Sequence, residues 1–281
     1  MNANLRSKTF SCEFFPPSTE AGMEKLLITQ QKLDDVMQPA YYSVTFGAGG
    51  TTRDRTLETV KRLSASKTNV APHISCIGSN KQQINELLQQ YRSLGVSQLV
   101  ALRGDIPESG ESTKELSYAN ELVSYIREAS GDHFNIEVAA YPEYHPESIS
   151  PQSDFEHFKS KVAAGANGAI TQYFYNSDAY FRFVDKCQQE NIHIPITPGI
   201  MPITNFASLT RFSDACGAEI PRWIRKQLEA YADDKDSLQA FGLDVVSKLC
   251  NQLLEQGAPG LHFYTLNQAD SCNAIWNNIS S

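Results

Sequence analysis

The chain has no apolar run approaching the ~18 residues that a membrane-spanning helix needs, and Met1-Asn2-Ala3-Asn4-Leu5-Arg6-Ser7 contains no apolar signal-peptide core. A cytoplasmic protein with no membrane partner is the expectation. Positive charge is in short supply: 24 Lys and Arg stand against 32 Asp and Glu, a net charge of −8. That argues against a nucleic-acid partner, which selects a basic face. The six cysteines, at 12, 76, 187, 216, 250 and 272, form no Cys-x-x-Cys pair and no metal-ligand spacing. No metal site is expected, and the thiols should be free and mostly buried. No Gly-x-Gly-x-x-Gly turn follows any strand-like run, and no linker or low-complexity stretch divides the 281 residues. With 41% hydrophobic residues the chain can bury a sizeable core, and residues 1–281 are expected to form a single domain.

What is present is alternation. Short β-type runs at 9–15, 41–46, 70–76, 97–103, 135–141, 168–174, 193–198 and 260–265 are separated by amphipathic stretches with apolar residues three and four apart. The latter include Met23–Met37, Thr56–Ser66, Gln82–Leu94, Ala119–Glu128, Phe155–Ala164 and Ala179–Gln189. Gly95, Gly131 and Gly165 follow three of them, as helix C-terminal glycines do. Eight strands with intervening helices, the first seven starting roughly 25–38 residues apart, predict an α/β fold of the (β/α)8 barrel type rather than a doubly wound open sheet. The longer gap before the last strand holds extra helices, at about 205–215, 219–230 and 235–256, read as an insertion over the mouth.

In a barrel of this kind the active site is built from the C-terminal strand ends and the loops after them. Those ends carry Glu13, Thr45, His73, Arg103, Asp105, Tyr141, Glu143, His145 and Gln172. Glu13, in Thr9-Phe10-Ser11-Cys12-Glu13-Phe14-Phe15-Pro16-Pro17, closes a β-prone apolar run. Burial there raises a carboxyl pKa, the setting of a general acid, although a glutamate that turns outward at a strand end fits the same segment. His73 is either a site residue or a hydrogen-bonded barrel histidine. Arg103 and Asp105, flanking Gly104, are either site residues or a structural ion pair. Tyr141-Pro142-Glu143-Tyr144-His145-Pro146 suggests a stacking surface for a flat ligand, and Gly47-Ala48-Gly49-Gly50 either a phosphate approach or a tight turn.

These segments, in this order, resemble methylenetetrahydrofolate reductases of the short bacterial type, which consist of the catalytic domain alone. The likeness runs from about residue 10 to 275 through Glu13-Phe14-Phe15-Pro16-Pro17, Ser43–Ala48, Arg53–Thr56, Ala71-Pro72-His73, Ala101–Asp105, Ala139–Pro146, Lys161–Asn167, Ile170-Thr171-Gln172, Pro198–Pro202 and His262–Asn267. The resemblance implies a barrel that holds FAD non-covalently, is reduced by NADH or NADPH, and then reduces 5,10-methylenetetrahydrofolate to 5-methyltetrahydrofolate. The order is ping-pong, the product supplies methyl groups for methionine synthesis, and the assembly is a homo-oligomer.

It also implies roles. Glu13 is the general acid that opens the substrate's five-membered ring, and Asp105 the negative partner of the cation that opening creates. Gln172 hydrogen-bonds folate, and Phe212 packs on its p-aminobenzoate ring or on the nicotinamide. FAD falls to Thr45, Phe46, Ala48, His73, Arg103, Gly104, Asp105, Tyr118, Ala119, Tyr141, His145, Asp154, His157 and Lys161. Of these, Arg103 and Lys161 suit the pyrophosphate, Tyr141 a ring contact and Asp154 a ribose hydroxyl. The chain departs from the pattern at Phe46, where tyrosine is common, and at His157 and Ser160 near the FAD. Ser208 replaces a glutamine that touches folate, and Gln268 an arginine that meets the folate tail. Two rivals stay open: another FAD-bearing barrel such as a proline dehydrogenase-like oxidase, and a folate- or flavin-binding protein without turnover.

Overall fold

The computed structural model describes residues 5, 7–46, 50–66, 68–105, 115–231 and 233–280. Strand and helix alternate as β1 (Thr9–Phe14), α1 (Glu20–Val36), β2 (Tyr41–Val44), α2 (Gly50–Ala65), β3 (Val70–Ser75), α3 (Lys81–Ser93), β4 (Gln98–Leu102) and α4 (Ala119–Ser130). They continue as β5 (Asn135–Ala140), α5 (Pro151–Ala163), β6 (Gly168–Thr171), α6 (Ser177–Gln189), β7 (Ile196–Thr197) and β8 (Gly199–Ile200). After α7 (Phe206–Cys216), α8 (Arg222–Ala230) and α9 (Lys235–Glu255) come β9 (Gly260–Tyr264) and α10 (Asp270–Ser280).

All strand pairs are parallel, in the order β7-β6-β5-β4-β3-β2-β1-β9-β8. β7 and β8 are one pass of chain broken by Pro198, which has no N–H to give to a ladder. Ile196-Thr197 pairs with β6 and Gly199-Ile200 with β9, so this pass closes a (β/α)8 barrel. At the seam Gly199 donates its N–H to Thr171 Oγ1 at 2.9 Å. A Cβ on Gly199 would strike the Thr171 carbonyl and the Tyr264 ring, so only glycine closes the wall there.

The strand period of two sorts side chains into two layers. Phe10, Cys12, Phe14, Tyr42 and Val44 point out and pack with Leu26 and Leu33 of α1 in the main core. Phe14 stacks on Tyr42, with ring centroids 4.9 Å apart. Leu33 is fully buried, a contribution of about 2 kcal/mol from apolar area alone. Tyr41, Ala71, Val100 and Ile170 point in and form a small separate cluster in the barrel interior. Several further inward positions around the barrel are polar and buried: Ser11, Glu13, Ser43, His73, Glu137 and His262.

The seventh pass runs 196–200 rather than 193–198, because the sheet continues beyond Pro198. β6 ends at Thr171, short of the expected 174, and α2 begins at Gly50 rather than Thr56. The extra helices divide between two tasks. α9 packs between α6 and α10 and is a member of the outer ring. α7 reaches the mouth, where Ser213 Oγ meets the Tyr173 hydroxyl at 3.0 Å. The sequence reading missed α10, whose buried Cys272, Ile275, Trp276 and Ile279 follow helical spacing.

Candidate functional site

The C-terminal end of β1 carries Glu13 into the barrel, with the side chain only 9% exposed. Alternation places Ser11 two residues below it on the same inward face, and β9 brings His262 opposite Ser11. His262 is fully buried; its Nδ1 lies 2.7 Å from Ser11 Oγ, and its Nε2 3.4 Å from Ser43 Oγ and 3.7 Å from Glu13 Oε2. From β3, His73 brings Nε2 to 3.3 Å from the same Oε2, without the alignment of a hydrogen bond. Glu13 therefore sits between two imidazoles inside the mouth end of the barrel, not turned out to solvent.

This pairing corrects the expected acidity. Burial is the largest single influence on the Glu13 carboxyl and pushes its pKa up, but the combined pull of His262 and His73 outweighs it and holds the group down at about 2. The expectation considered burial alone, because the residues that reverse it lie 60 and 249 positions along the chain.

A second cluster forms the rim beyond β4 and β5. Arg103 pairs with Glu147 at 2.8 Å, and this bond raises the arginine's pKa and lowers the glutamate's. The alternative reading of Arg103 and Asp105 as a structural ion pair is thus replaced by Glu147; Asp105 is exposed just beyond β4. Gly104 has φ +85° and lies where a Cβ would strike Ser75 Oγ, so the Arg103-Gly104-Asp105 turn requires glycine. Tyr141 and His145 meet edge to face at 4.7 Å. Burial pushes the Tyr141 hydroxyl up to about 12, and burial, followed by the charge of Arg103, lowers the His145 pKa. Asp154, in the first turn of α5, accepts from Ser148 Oγ at 3.0 Å.

Lys161, also on α5, is half-buried and donates from Nζ to the Ala139 carbonyl at 2.5 Å. Burial brings its pKa down to about 8, with only the charge of Asp154 acting the other way. Among the described residues no carboxylate forms an ion pair with it. Outside this group Tyr118, the N-cap of α4, stacks parallel to His157 of α5 at 6.3 Å, with Ala119 next to it opening the helix.

The remaining expected positions are spread around the mouth. Thr45 continues β2 through its N–H to the Phe14 carbonyl, and Phe46 packs on the core. Gln172 follows β6, with Oε1 accepting from the Tyr173 N–H at 3.0 Å. Phe212 lies under the Arg211 guanidinium on α7, 5.2 Å from the ring centre, and Ser208 spends its N–H on the Asn205 cap of that helix. Gln268 is exposed after β9. Ala48 lies outside the described residues, as do the neighbouring glycines 47 and 49. The ring-rich segment after β5 also borders a cavity of about 430 Å³, lined by Pro142, Glu143, Tyr144, Arg182, Gly217 and Glu219 among others, which Glu13 and Asp105 do not line.

Sequence reasoning assigned no role to His262, Ser11, Ser43 or Glu147. A signal for His262 was available: Ser11 and Glu13 share a face of β1, and a histidine on the neighbouring strand at matching parity faces the same interior. Glu147 gave none, being one of several loop carboxylates.

A buried acid between imidazoles lies beneath a rim of cations and rings at the C-terminal mouth, the place where enzymes of the (β/α)8 class build their active sites. The family model for methylenetetrahydrofolate reductase matches residues 1–280. The 5,10-methylenetetrahydrofolate reductase of Pectobacterium carotovorum is 39% identical over 266 residues, covering 94% of this chain and 88% of that protein. The protein of the same name from Escherichia coli K12 is 37% identical with the same coverage. Arabidopsis thaliana methylenetetrahydrofolate reductase (NADH) 1 is 37% identical over 96% of this chain and 48% of its own length. Among solved structures, a Clostridium thermocellum protein described as binding two copies of 5-methyl-5,6,7,8-tetrahydrofolic acid superposes with a TM-score of 0.69 at 16% identity, over 99% of this chain and 96% of that one, a likeness of fold. The chain belongs to the methylenetetrahydrofolate reductase family, and membership supports an oxidoreductase acting on methylenetetrahydrofolate.

Proposed function

We propose that this protein reduces 5,10-methylenetetrahydrofolate to 5-methyltetrahydrofolate, with FAD held non-covalently at the barrel mouth and NADH or NADPH as electron donor in a ping-pong sequence. The product would feed methyl transfer to methionine, and we read the protein as a cytoplasmic homo-oligomer. The observation that carries the reading is Glu13, buried inside the barrel mouth between two imidazoles in a chain of this family.

The rim residues fit FAD by their chemistry. Lys161 is a cation whose charge burial disfavours, so it gains from an arriving anion, and Arg103 adds a planar donor suited to a pyrophosphate. Tyr118 with His157 and Tyr141 with His145 offer ring faces, and Asp154 an acceptor for a ribose hydroxyl. When bound, FAD supplies the hydride relay between donor and acceptor.

The chain's own residues do the rest. Glu13 delivers a proton to the substrate nitrogen whose bond to the methylene carbon breaks; the bonding pair stays on that nitrogen, leaving an iminium cation for hydride attack. Asp105 offers a negative charge to that cation, and Gln172 and Phe212 orient the folate, with Ser208 and Gln268 as weaker contacts. The clustering of Glu13, His73 and His262 favours this reading over a bare binding protein, which needs no buried proton-handling group.

The test is direct. Purified protein is expected to be yellow, with about one FAD per chain, to bleach anaerobically with NADH or NADPH, and to recolour with methylenetetrahydrofolate. Asp105→Asn should bind FAD and slow recolouring more than bleaching. Colourless protein, or reduced protein that methylenetetrahydrofolate leaves bleached, would remove the proposal. Comparing the two nicotinamides in stopped flow decides between them.

A further inference from the structure

The proposed reaction consumes one proton per turnover, and Glu13 gives up its own each time. On the reading above, the group that delivers the proton must therefore be loaded from a neighbour. Two rings touch its Oε2, and they differ. His73 faces the mouth, where the substrate and the cofactor are proposed to bind, and among the described residues its Nε2 makes no hydrogen bond. His262 lies below, sealed from solvent and oriented by Ser11, whose Oγ holds Nδ1 at 2.7 Å and leaves Nε2 to face Glu13 and Ser43.

We propose that His262 is the residue that supplies Glu13 with its proton, with Ser11 setting the ring for the transfer. The proton moves from the His262 imidazolium Nε2 to Glu13 Oε2 as the two close from 3.7 Å, leaving a neutral imidazole and a carboxyl, and passes from the carboxyl to the substrate nitrogen as the carbon–nitrogen bond breaks. The imidazole regains a proton by way of Glu13 when the mouth stands open to water between turnovers, which is the proton the overall reaction consumes. The titratable groups facing this unit are Glu13 from β1, Tyr41 from β2 with its ring 6.3 Å from His262, His73 from β3, and Tyr264 from β9 itself at 5.4 Å. Glu137 of β5 acts on Tyr41 by its charge. A proton stored on His262 stays available to Glu13 while bound ligands cover the mouth, and this separates proton delivery from hydride delivery.

The competing role for His262 is purely electrostatic, and the two roles predict opposite results. If His262 only holds the Glu13 proton off, His262→Gln eases that pull and leaves the folate half-reaction as fast as wild type or faster. If His262 supplies the proton, the same variant retains FAD and is reduced by the nicotinamide within about twofold of wild type, while reoxidation by methylenetetrahydrofolate slows by roughly 100-fold or more from pH 6 to 9. An unchanged or faster reoxidation, or an equal fall in both half-reactions, overturns the proposal.

Should His262→Gln not fold, Ser11→Ala is the second variant. It should slow reoxidation alone by about tenfold and change the pH profile of that step, with Ser11→Thr restoring both. Wild-type behaviour in Ser11→Ala overturns the proposal. A readout independent of turnover separates this inference from the functional reading: in 15N-histidine-labelled protein, Glu13→Gln should move the His262 ring nitrogen resonances. No movement defeats the proton-sharing pair even in an active enzyme; a clear shift in a protein that leaves methylenetetrahydrofolate untouched defeats the reading and retains the pair.

Discussion

Glu13 and Glu137 are both shut inside the same barrel, one at the mouth end of β1 and the other nearer the start of β5, and their carboxyls are driven in opposite directions. Burial raises both. Glu13 has two imidazoles within 3.7 Å and is carried down to about 2. Among the described residues Glu137 Oε2 has no hydrogen-bond partner, a Cβ on Gly168 would strike its carboxylate, and burial alone takes it up to about 7. Enclosure in the barrel does not set the acidity; the partners that the neighbouring strands bring do. The rim is a third case. Arg103 and Glu147 pair at 2.8 Å, but the glutamate side chain is 60% exposed, and solvent screens most of what the pair contributes.

The largest expected effect tests the mouth end. Glu13→Gln keeps the shape and removes the transferable proton, so reoxidation by methylenetetrahydrofolate should fall by roughly 10²–10⁴-fold or become undetectable, while reduction by the nicotinamide stays near the wild-type rate. Following each half-reaction by flavin absorbance checks this. Near-normal folate reduction by the variant would make Glu13 no more than a structural partner of its histidines.

The two carboxyls also leave opposite marks on stability. For Glu13 the folded pKa lies below the unfolded value, so its contribution is present above about pH 4.5 and is lost as pH falls toward 2. For Glu137 the folded pKa is the higher one, so stability is full below about pH 4.5 and declines as pH rises to about 7. A shift of that size corresponds to roughly 3 kcal/mol. Glu137→Gln should therefore flatten the loss between pH 5 and 8, as measured by urea unfolding at both pH values. An unchanged slope would show that the carboxyl has a partner or solvent access after all.

At the rim the effects shrink. Lys161→Ala should weaken FAD retention by about tenfold or more, since it removes a charge that an anion would satisfy. Dialysis followed by flavin absorbance measures it, and full retention would take the pyrophosphate away from this lysine. Glu147→Gln is expected to change stability by less than about 1 kcal/mol and to leave both half-reactions near wild type. A fall in FAD affinity in that variant, rather than a slight gain from freeing Arg103, would mean that the carboxylate helps to form the site.

Much of this protein was legible along the chain. Period-two and helical spacing marked all eight barrel positions and most of the ring, because each pattern is written into residues that are neighbours in sequence. α10 was overlooked although its apolar spacing is helical. The polar residues at the strand ends were likewise visible, and the order of the motifs carried the family.

What the tertiary structure alone decided is pairing. Pro198 reads as a strand end and becomes the seam where one pass serves two ladders. Arg103, next but one to Asp105 in sequence, takes Glu147 across a loop. Ser11 finds its histidine 251 residues away, and Glu13 is held as a carboxylate by rings from β3 and β9. Burial is a property that a hydrophobic run announces by itself. The acidity of a buried group depends on which charges stand within a few ångströms, and closing the barrel is what sets those distances.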